Sequence, residues 1–201
     1  LARRLEGFPQ DEVTPELEGM KYREAGVDMG LSYRMTQDWG TVRTALLHDV
    51  GNYSHGSELR VGYSYDIRGE RWVLRPDITL AWRDANLNNY YYGVKKDEAA
   101  PGRPAYEPGS GVNTSLGLYG SYEVWENWRL LGGISVTSLD SSVRDSPIIN
   151  DDLQPALFLG AVYDFGTPLT KWDDEGSPLL VKVFYGRASG DGCHMARIMT
   201  L

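Results

Sequence analysis

Sulfur cross-links are the first thing this chain cannot make. A single cysteine, Cys193, stands among 201 residues, so no intrachain disulfide can staple it. No Cys/His cluster has zinc-site spacing either. There is no run of 18 or more apolar residues, which excludes a membrane-crossing helix and leaves crossing strands open. Basic residues are in deficit, 20 Lys+Arg against 28 Asp+Glu, for a formal net charge of −8. Nucleic-acid binders carry a basic footprint, so nucleic acid is excluded as the main partner. Phenylalanine is scarce at 4, while glycine (23), tyrosine (13) and tryptophan (6) are plentiful, a balance that favours strands and turns. Neither a charged n-region nor an apolar h-region opens the sequence at Leu1, so the chain reads as a fragment or processed piece without its secretory signal.

What is present is alternation of period two, repeated along most of the chain. In Glu24–Thr36, Val27, Met29, Leu31, Tyr33 and Met35 alternate with Gly26, Asp28, Gly30, Ser32 and Arg34. That pattern is a strand with one apolar and one polar or small face. Residues 57–65 set Leu59, Val61, Tyr63 and Tyr65 against Glu58, Arg60, Gly62 and Ser64. Trp72–Arg83, Gly111–Val124 and 154–165 repeat the pattern, and blurrier strands are expected near 41–49 and 128–139. Seven strands and no helix are expected. Residues 1–23 carry Pro9 and Pro15 and show no sustained period.

The connections alternate in length: short turns at 37–40, 66–71 and 125–127, longer loops at 50–56, 84–110 and 140–153. Up-and-down barrels of the outer membrane have this arrangement, with tight periplasmic turns and longer outer loops. Trp39, Trp72, Trp125 and Trp128 lie in or beside the short turns, where an aromatic girdle sits. A soluble β-sandwich or lipocalin-like barrel also alternates. Against it, the faces that would be a dry core carry Asp28, Arg34, Arg60, Arg75, Asp77, Arg83 and Glu123. The expected fold class is all-β, an antiparallel up-and-down transmembrane β-barrel, incomplete in this fragment.

The loops and strand ends carry a further signal. His48-Asp49-Val50 is followed by His55-Gly56-x-Glu58-Leu59. Tyr90-Tyr91-Tyr92-Gly93-Val94 precedes Arg103-Pro104-Ala105-Tyr106-x-Pro108-Gly109-x-Gly111-x-Asn113. Asn127-Trp128-x-Leu130-Leu131-Gly132-Gly133, Asp145-Ser146-Pro147-Ile148 and Tyr163-x-Phe165 complete the set. In this order the elements resemble the MipA/OmpV family of Gram-negative outer-membrane proteins, over about residues 24–165. The resemblance implies residence in the cell outer membrane, contact with outer-membrane lipid, and a scaffold role that docks a murein transglycosylase and a murein synthase. It brings no catalytic residue. A passive porin-like channel is the second reading, suited to the charged strand faces. A lipid-modifying hydrolase with its active site beyond Leu201 is the third.

The implied domain plan is an N-terminal segment at 1–23, with the start of the barrel missing, and a barrel at 24–165. An acidic linker at 166–177 follows, and a truncated second β module begins at 178–201 with Leu179–Tyr185. The most enzyme-like cluster is His48, Asp49, Ser54 and His55, because a neutral imidazole can take a hydroxyl proton. No GxSxG elbow accompanies it, and its Gly/Asn/Ser content is that of a surface connection. His48, His55 and Glu58 could reach one metal ion, at a spacing that matches no motif. Asp151-Asp152 and Asp173-Asp174-Glu175 lack the calcium-loop alternation and read as solvated charge. Cys193-His194 and the Asn-x-Ser sequences at Asn52 and Asn113 carry no assignment. Tyr90–Tyr92 read as interfacial or loop-packing anchors, or as a sticky patch for a partner or sugar. The sequence therefore assigns no catalytic, cofactor-binding or metal-binding residue and implies no cofactor.

Overall fold

Alternating side chains need a sheet to sort them onto two faces, and the chain builds one. A computed structural model describes residues 2–4, 17–163, 182–189 and 192–199. Its strands are β1 (Ala2–Arg3), β2 (Val27–Gln37), β3 (Gly40–Asp49), β4 (Ser57–Ser64), β5 (Ile67–Arg68) and β6 (Trp72–Arg83). Then come β7 (Gly111–Trp125), β8 (Trp128–Ser138), β9 (Leu153–Tyr163), β10 (Lys182–Ser189) and β11 (Gly192–Met199). They form one sheet in the order β1-β2-β3-β4-β6-β7-β8-β9-β10-β11, with β5 paired to β6. The seven expected strands are β2, β3, β4, β6, β7, β8 and β9. Phe165 and the acidic linker lie outside the described residues.

Chain order equals sheet order along this path, which is the up-and-down arrangement that short turns enforce. The β2–β3 register runs from Asp28↔Asp49 to Gln37↔Gly40 across a two-residue turn. Beyond the linker, β10 pairs antiparallel with β9, Phe184 opposite Leu159, so residues 182–189 extend the same sheet. Cys193 and His194 stand on β11, opposite Ala188 and Arg187 of β10.

Two helices depart from the all-strand expectation: α1 (Ala85–Tyr92) and α2 (Ser141–Arg144). Asp84 caps α1, its carboxylate accepting the Leu87 N–H at 2.9 Å, and Asp140 caps α2 through the Ser142 N–H. The α1 sequence, rich in Asn and Tyr, has little helix propensity of its own. Tertiary burial of Leu87, Asn88 and Tyr91 holds it.

The distribution of burial is inverted relative to a water-soluble sandwich. Leu31, Leu46, Leu59, Ile78, Leu80, Leu116, Leu118, Leu157 and Leu159 are all exposed on the strands. Asp28, Asp49, Glu58, Ser64, Arg83 and Asn113 on the same strands are buried. The buried apolar side chains among the described residues are Leu87, Tyr91, Val94, Leu139 and Val143, all on the helices or the loops beside them. Hydrophobic burial in water cannot hold strands that turn their leucines outward, whereas lipid can receive them.

The chain divides into two compact units. One comprises Leu1–Tyr63, Ile78–Ser115 and Thr137–Gln154; the other comprises Ser64–Asp77, Leu116–Val136 and Pro155–Leu201. In the first, Trp39 stacks on Tyr63 at 6.3 Å, and the Tyr63 hydroxyl donates to the Trp39 carbonyl at 2.6 Å. In the second, Trp128 packs on Tyr163 at 5.1 Å, and Arg71 lies over the Tyr122 ring. All four tryptophans of the short turns are exposed, as an interfacial girdle requires.

Candidate functional site

The polar face of the first unit gathers charge around one carboxylate. Strand alternation turns Asp28 of β2, Asp49 of β3, Glu58 and Arg60 of β4 and Arg83 of β6 to the side opposite the exposed leucines. Arg4, far away in sequence, reaches both Asp28 (Nη2 to Oδ2, 2.8 Å) and Glu58 (Nη1 to Oε2, 2.6 Å). Arg83 Nε lies 3.3 Å from Glu58 Oε2, and Arg60 Nε donates to Oε1. Glu58 is fully buried. A carboxylate in that position is tolerable only because guanidinium groups surround it, and the same groups occupy the lone pairs that a metal or a proton transfer would need.

Glu58 faces arginines, while His48 is exposed with its Nδ1 3.0 Å from Ser57 Oγ. Among the described residues no group of three or more His, Cys, Asp or Glu side chains is arranged to hold a metal ion.

The enzyme-like cluster is likewise pulled apart by alternation. His48 and Asp49 are consecutive strand residues and point to opposite faces. Asp49 Oδ2 accepts the N–H groups of Tyr53 (2.9 Å), Ser54 (2.6 Å) and His55 (3.0 Å), together with the Ser54 hydroxyl (3.1 Å). Its Oδ1 accepts the Gly51 N–H. Ser54 thus gives its proton to a carboxylate that already organises the loop, and its oxygen accepts the Gly56 N–H. The partners of the Ser54 hydroxyl are Asp49 and Gly56, neither of them an imidazole. Asn52 and His55 adopt φ of 64° and 52°, the left-handed turns this wrapping demands. Gly56 is required by close approach: a Cβ there would lie 2.5 Å from Leu87 Cβ.

The sequence elements that carry the family resemblance meet one another. Ser146 Oγ of the Asp145–Ile148 element donates to the Tyr92 carbonyl of the tyrosine element at 2.6 Å. Asn88 Nδ2 donates to the Gly109 carbonyl at 2.8 Å, and the Tyr106 hydroxyl donates to the Ser142 carbonyl at 2.9 Å. Asn113 Oδ1 accepts the Asp140 N–H at 2.8 Å. The motif residues are therefore the joints of a loop assembly around α1 and α2. Tyr90 to Tyr92 belong to it as packing groups: Tyr91 is buried, with Tyr90 edge-on at 4.8 Å. Asp151 and Asp152 are exposed, Asp152 standing 3.9 Å from Arg144.

A second buried ion pair, not flagged by any motif, ties the N-terminal segment to this assembly. Arg23 grips Glu98 with both terminal nitrogens, at 3.0 and 2.8 Å, and donates through Nε to the Tyr90 carbonyl at 2.7 Å. Burial pushes the Glu98 carboxyl up, but the Arg23 guanidinium and the Lys95 and Lys21 N–H groups outweigh it and hold the group below its ordinary value. Because the folded value is depressed, the stabilisation is complete above the unfolded carboxylate range, about 4.3, and is lost as pH falls through the lower folded value. Amide protection factors for Val94 and Tyr106, whose backbones pair with each other at 2.9 Å, should hold from pH 7 to about 5 and drop below about 4. Glu98→Gln should remove that pH dependence, and flat protection down to pH 3 in the unaltered protein would refute the assignment.

Comparison with known proteins extends the resemblance towards the N-terminus, beyond the 24–165 expected from the motifs. Residues 4–165 match the family described as MltA-interacting protein MipA. The chain is 32% identical over 158 residues to outer membrane protein Omp26La of Vibrio anguillarum, covering 79% of this chain and 61% of that one. It is 31% identical, with the same coverage, to outer membrane protein OmpV of Vibrio cholerae. To the MltA-interacting protein of Escherichia coli it is 30% identical over 144 residues, 71% of this chain and 58% of that one. The chain thus spans about three fifths of the length of the curated relatives it matches. No solved structure matches.

Proposed function

The chain belongs to the MipA family, and on that premise we propose that it is a docking protein that holds a murein transglycosylase, with a murein synthase beside it, at the outer membrane. Its class is all-β, of the antiparallel up-and-down barrel type, and its place is the cell outer membrane. One observation carries the membrane part: the strands expose their leucines and bury their carboxylates and guanidiniums. The docking part draws on the relative named for its interaction with a transglycosylase. It also suits the chemistry of the site, where Asp49 and Glu58 are committed to structure. Scaffolding needs surface, not a catalytic constellation.

The test is direct binding. Full-length protein, purified from outer membranes in detergent and immobilised, is titrated with a purified lytic transglycosylase. Saturable binding in the roughly micromolar range or tighter is expected. Absence of saturation there, with the protein still shifting its gel mobility between unboiled and boiled samples, would remove the docking reading and leave the membrane reading standing.

A further inference from the structure

We infer that the tyrosines gathered around Glu24, in the loop assembly of the first unit, form a binding site for a quaternary ammonium solute. Glu24 is exposed just before β2, and its carboxylate accepts the Tyr22 hydroxyl at 3.1 Å. Tyr53, from the loop between β3 and β4, turns its hydroxyl to the same group. The hydrogen bond to Glu24, and then the carboxylate charge, holds that phenol above its ordinary value. The neighbouring carboxylates have cations of their own: Asp97 pairs with Lys21 at 2.7 Å and Glu98 with Arg23 at 2.8 Å. Glu24 forms no ion pair among the described residues, and phenol hydroxyls are what meet it.

The rings supply the walls. Tyr22 is 49% exposed and Tyr53 38%, so each keeps ring surface open to solvent. Tyr90 is their support. Arg23 lies 5.9 Å from its ring centre and Tyr91 stands perpendicular to it, so its own faces are committed. Its hydroxyl accepts the Glu24 N–H at 3.0 Å, and its ring tilts against Tyr53 at 6.5 Å. The ligand is left to Tyr22, Tyr53 and the carboxylate. Aromatic faces beside an anionic group are what an organic ammonium ion binds. The donors decide its substitution. A bare ammonium brings three N–H groups that need acceptors, and the Glu24 carboxylate already accepts from phenols. A trimethylammonium group brings no donor and presents methyl groups to the rings. The inference stands apart from docking, since it concerns a solute and not a protein surface.

The experiment is saturation-transfer NMR of the choline methyl protons with the full-length protein in maltoside micelles, the signal of micelles alone being subtracted. Saturable transfer in the roughly millimolar range is expected from one carboxylate and two half-exposed rings. The neutral isostere of choline, with a tert-butyl group in place of trimethylammonium, should bind at least roughly fivefold more weakly. Glu24→Gln removes the charge and Tyr53→Leu removes a ring, and each should weaken choline by roughly threefold or more. Phosphocholine tells the two sources of this group apart: weaker binding than choline assigns a free solute, tighter binding a lipid headgroup, and either result carries the site. No saturable transfer from choline, equal binding of the isostere, or unchanged titrations in both variants would each overturn it. Should a variant lose its gel-mobility shift, the comparison of choline with its isostere on the unaltered protein decides alone.

Discussion

Glu58→Gln is expected to destabilise the protein by about 3–5 kcal/mol, the largest effect of any single polar substitution proposed. Glutamine keeps the shape and removes the charge. Arg4, Arg60 and Arg83 would then face one another across a buried neutral amide, with Arg4 still paired to Asp28. Breaking one partner of a buried pair costs far more than the pair itself contributes, because the remaining charges stay desolvated. The exposed side of the network should matter less. Arg60 is about half exposed and Arg4 and Arg83 remain on Glu58 without it, so Arg60→Gln should cost well under what Glu58→Gln costs. Equilibrium unfolding of the full-length protein in urea, in lipid vesicles, measures both. Equal small effects for Glu58→Gln and Arg60→Gln would show that Glu58 is solvated and that the network is peripheral.

Leu31→Arg tests the other face. Leu31 is 81% exposed near the middle of β2, and in water a substitution at such a position changes stability by no more than about 0.5 kcal/mol. Against hydrocarbon, arginine near the bilayer midplane costs about 2–4 kcal/mol. The two environments therefore predict outcomes several-fold apart from the same substitution. A cost of about 2–4 kcal/mol in vesicles is expected. A value within about 0.5 kcal/mol of zero would mean that water, not lipid, meets this face, and the outer-membrane orientation of the sheet would have to be abandoned.

Where these residues sit was partly legible beforehand. Period-two alternation specified β2, β4, β6, β7 and β9 closely because a strand sorts its own side chains without help from distant residues. The charges on the would-be core faces already argued for an inverted protein. Helix α1 was not legible: Asn and Tyr favour loops locally, and only burial of Leu87 and Tyr91 makes the helix worth forming. That the cluster of His48, Asp49, Ser54 and His55 divides between two faces was available in the sequence, since His48 and Asp49 are strand neighbours that must diverge. What could not be foreseen was that Asp49 would spend its carboxylate on its own loop.

By itself, then, the sequence determined the strands, their two faces, the turn-side tryptophans and the family resemblance, all of which are local patterns or their order along the chain. Tertiary structure alone decided the partners. Arg4 meets Glu58 across 54 positions and Arg23 meets Glu98 across 75, and no local periodicity records contacts at that separation. It also decided that Arg34 stands opposite Arg43, because register is set by pairing between strands and a shift of one residue would have sent either guanidinium to the apolar face.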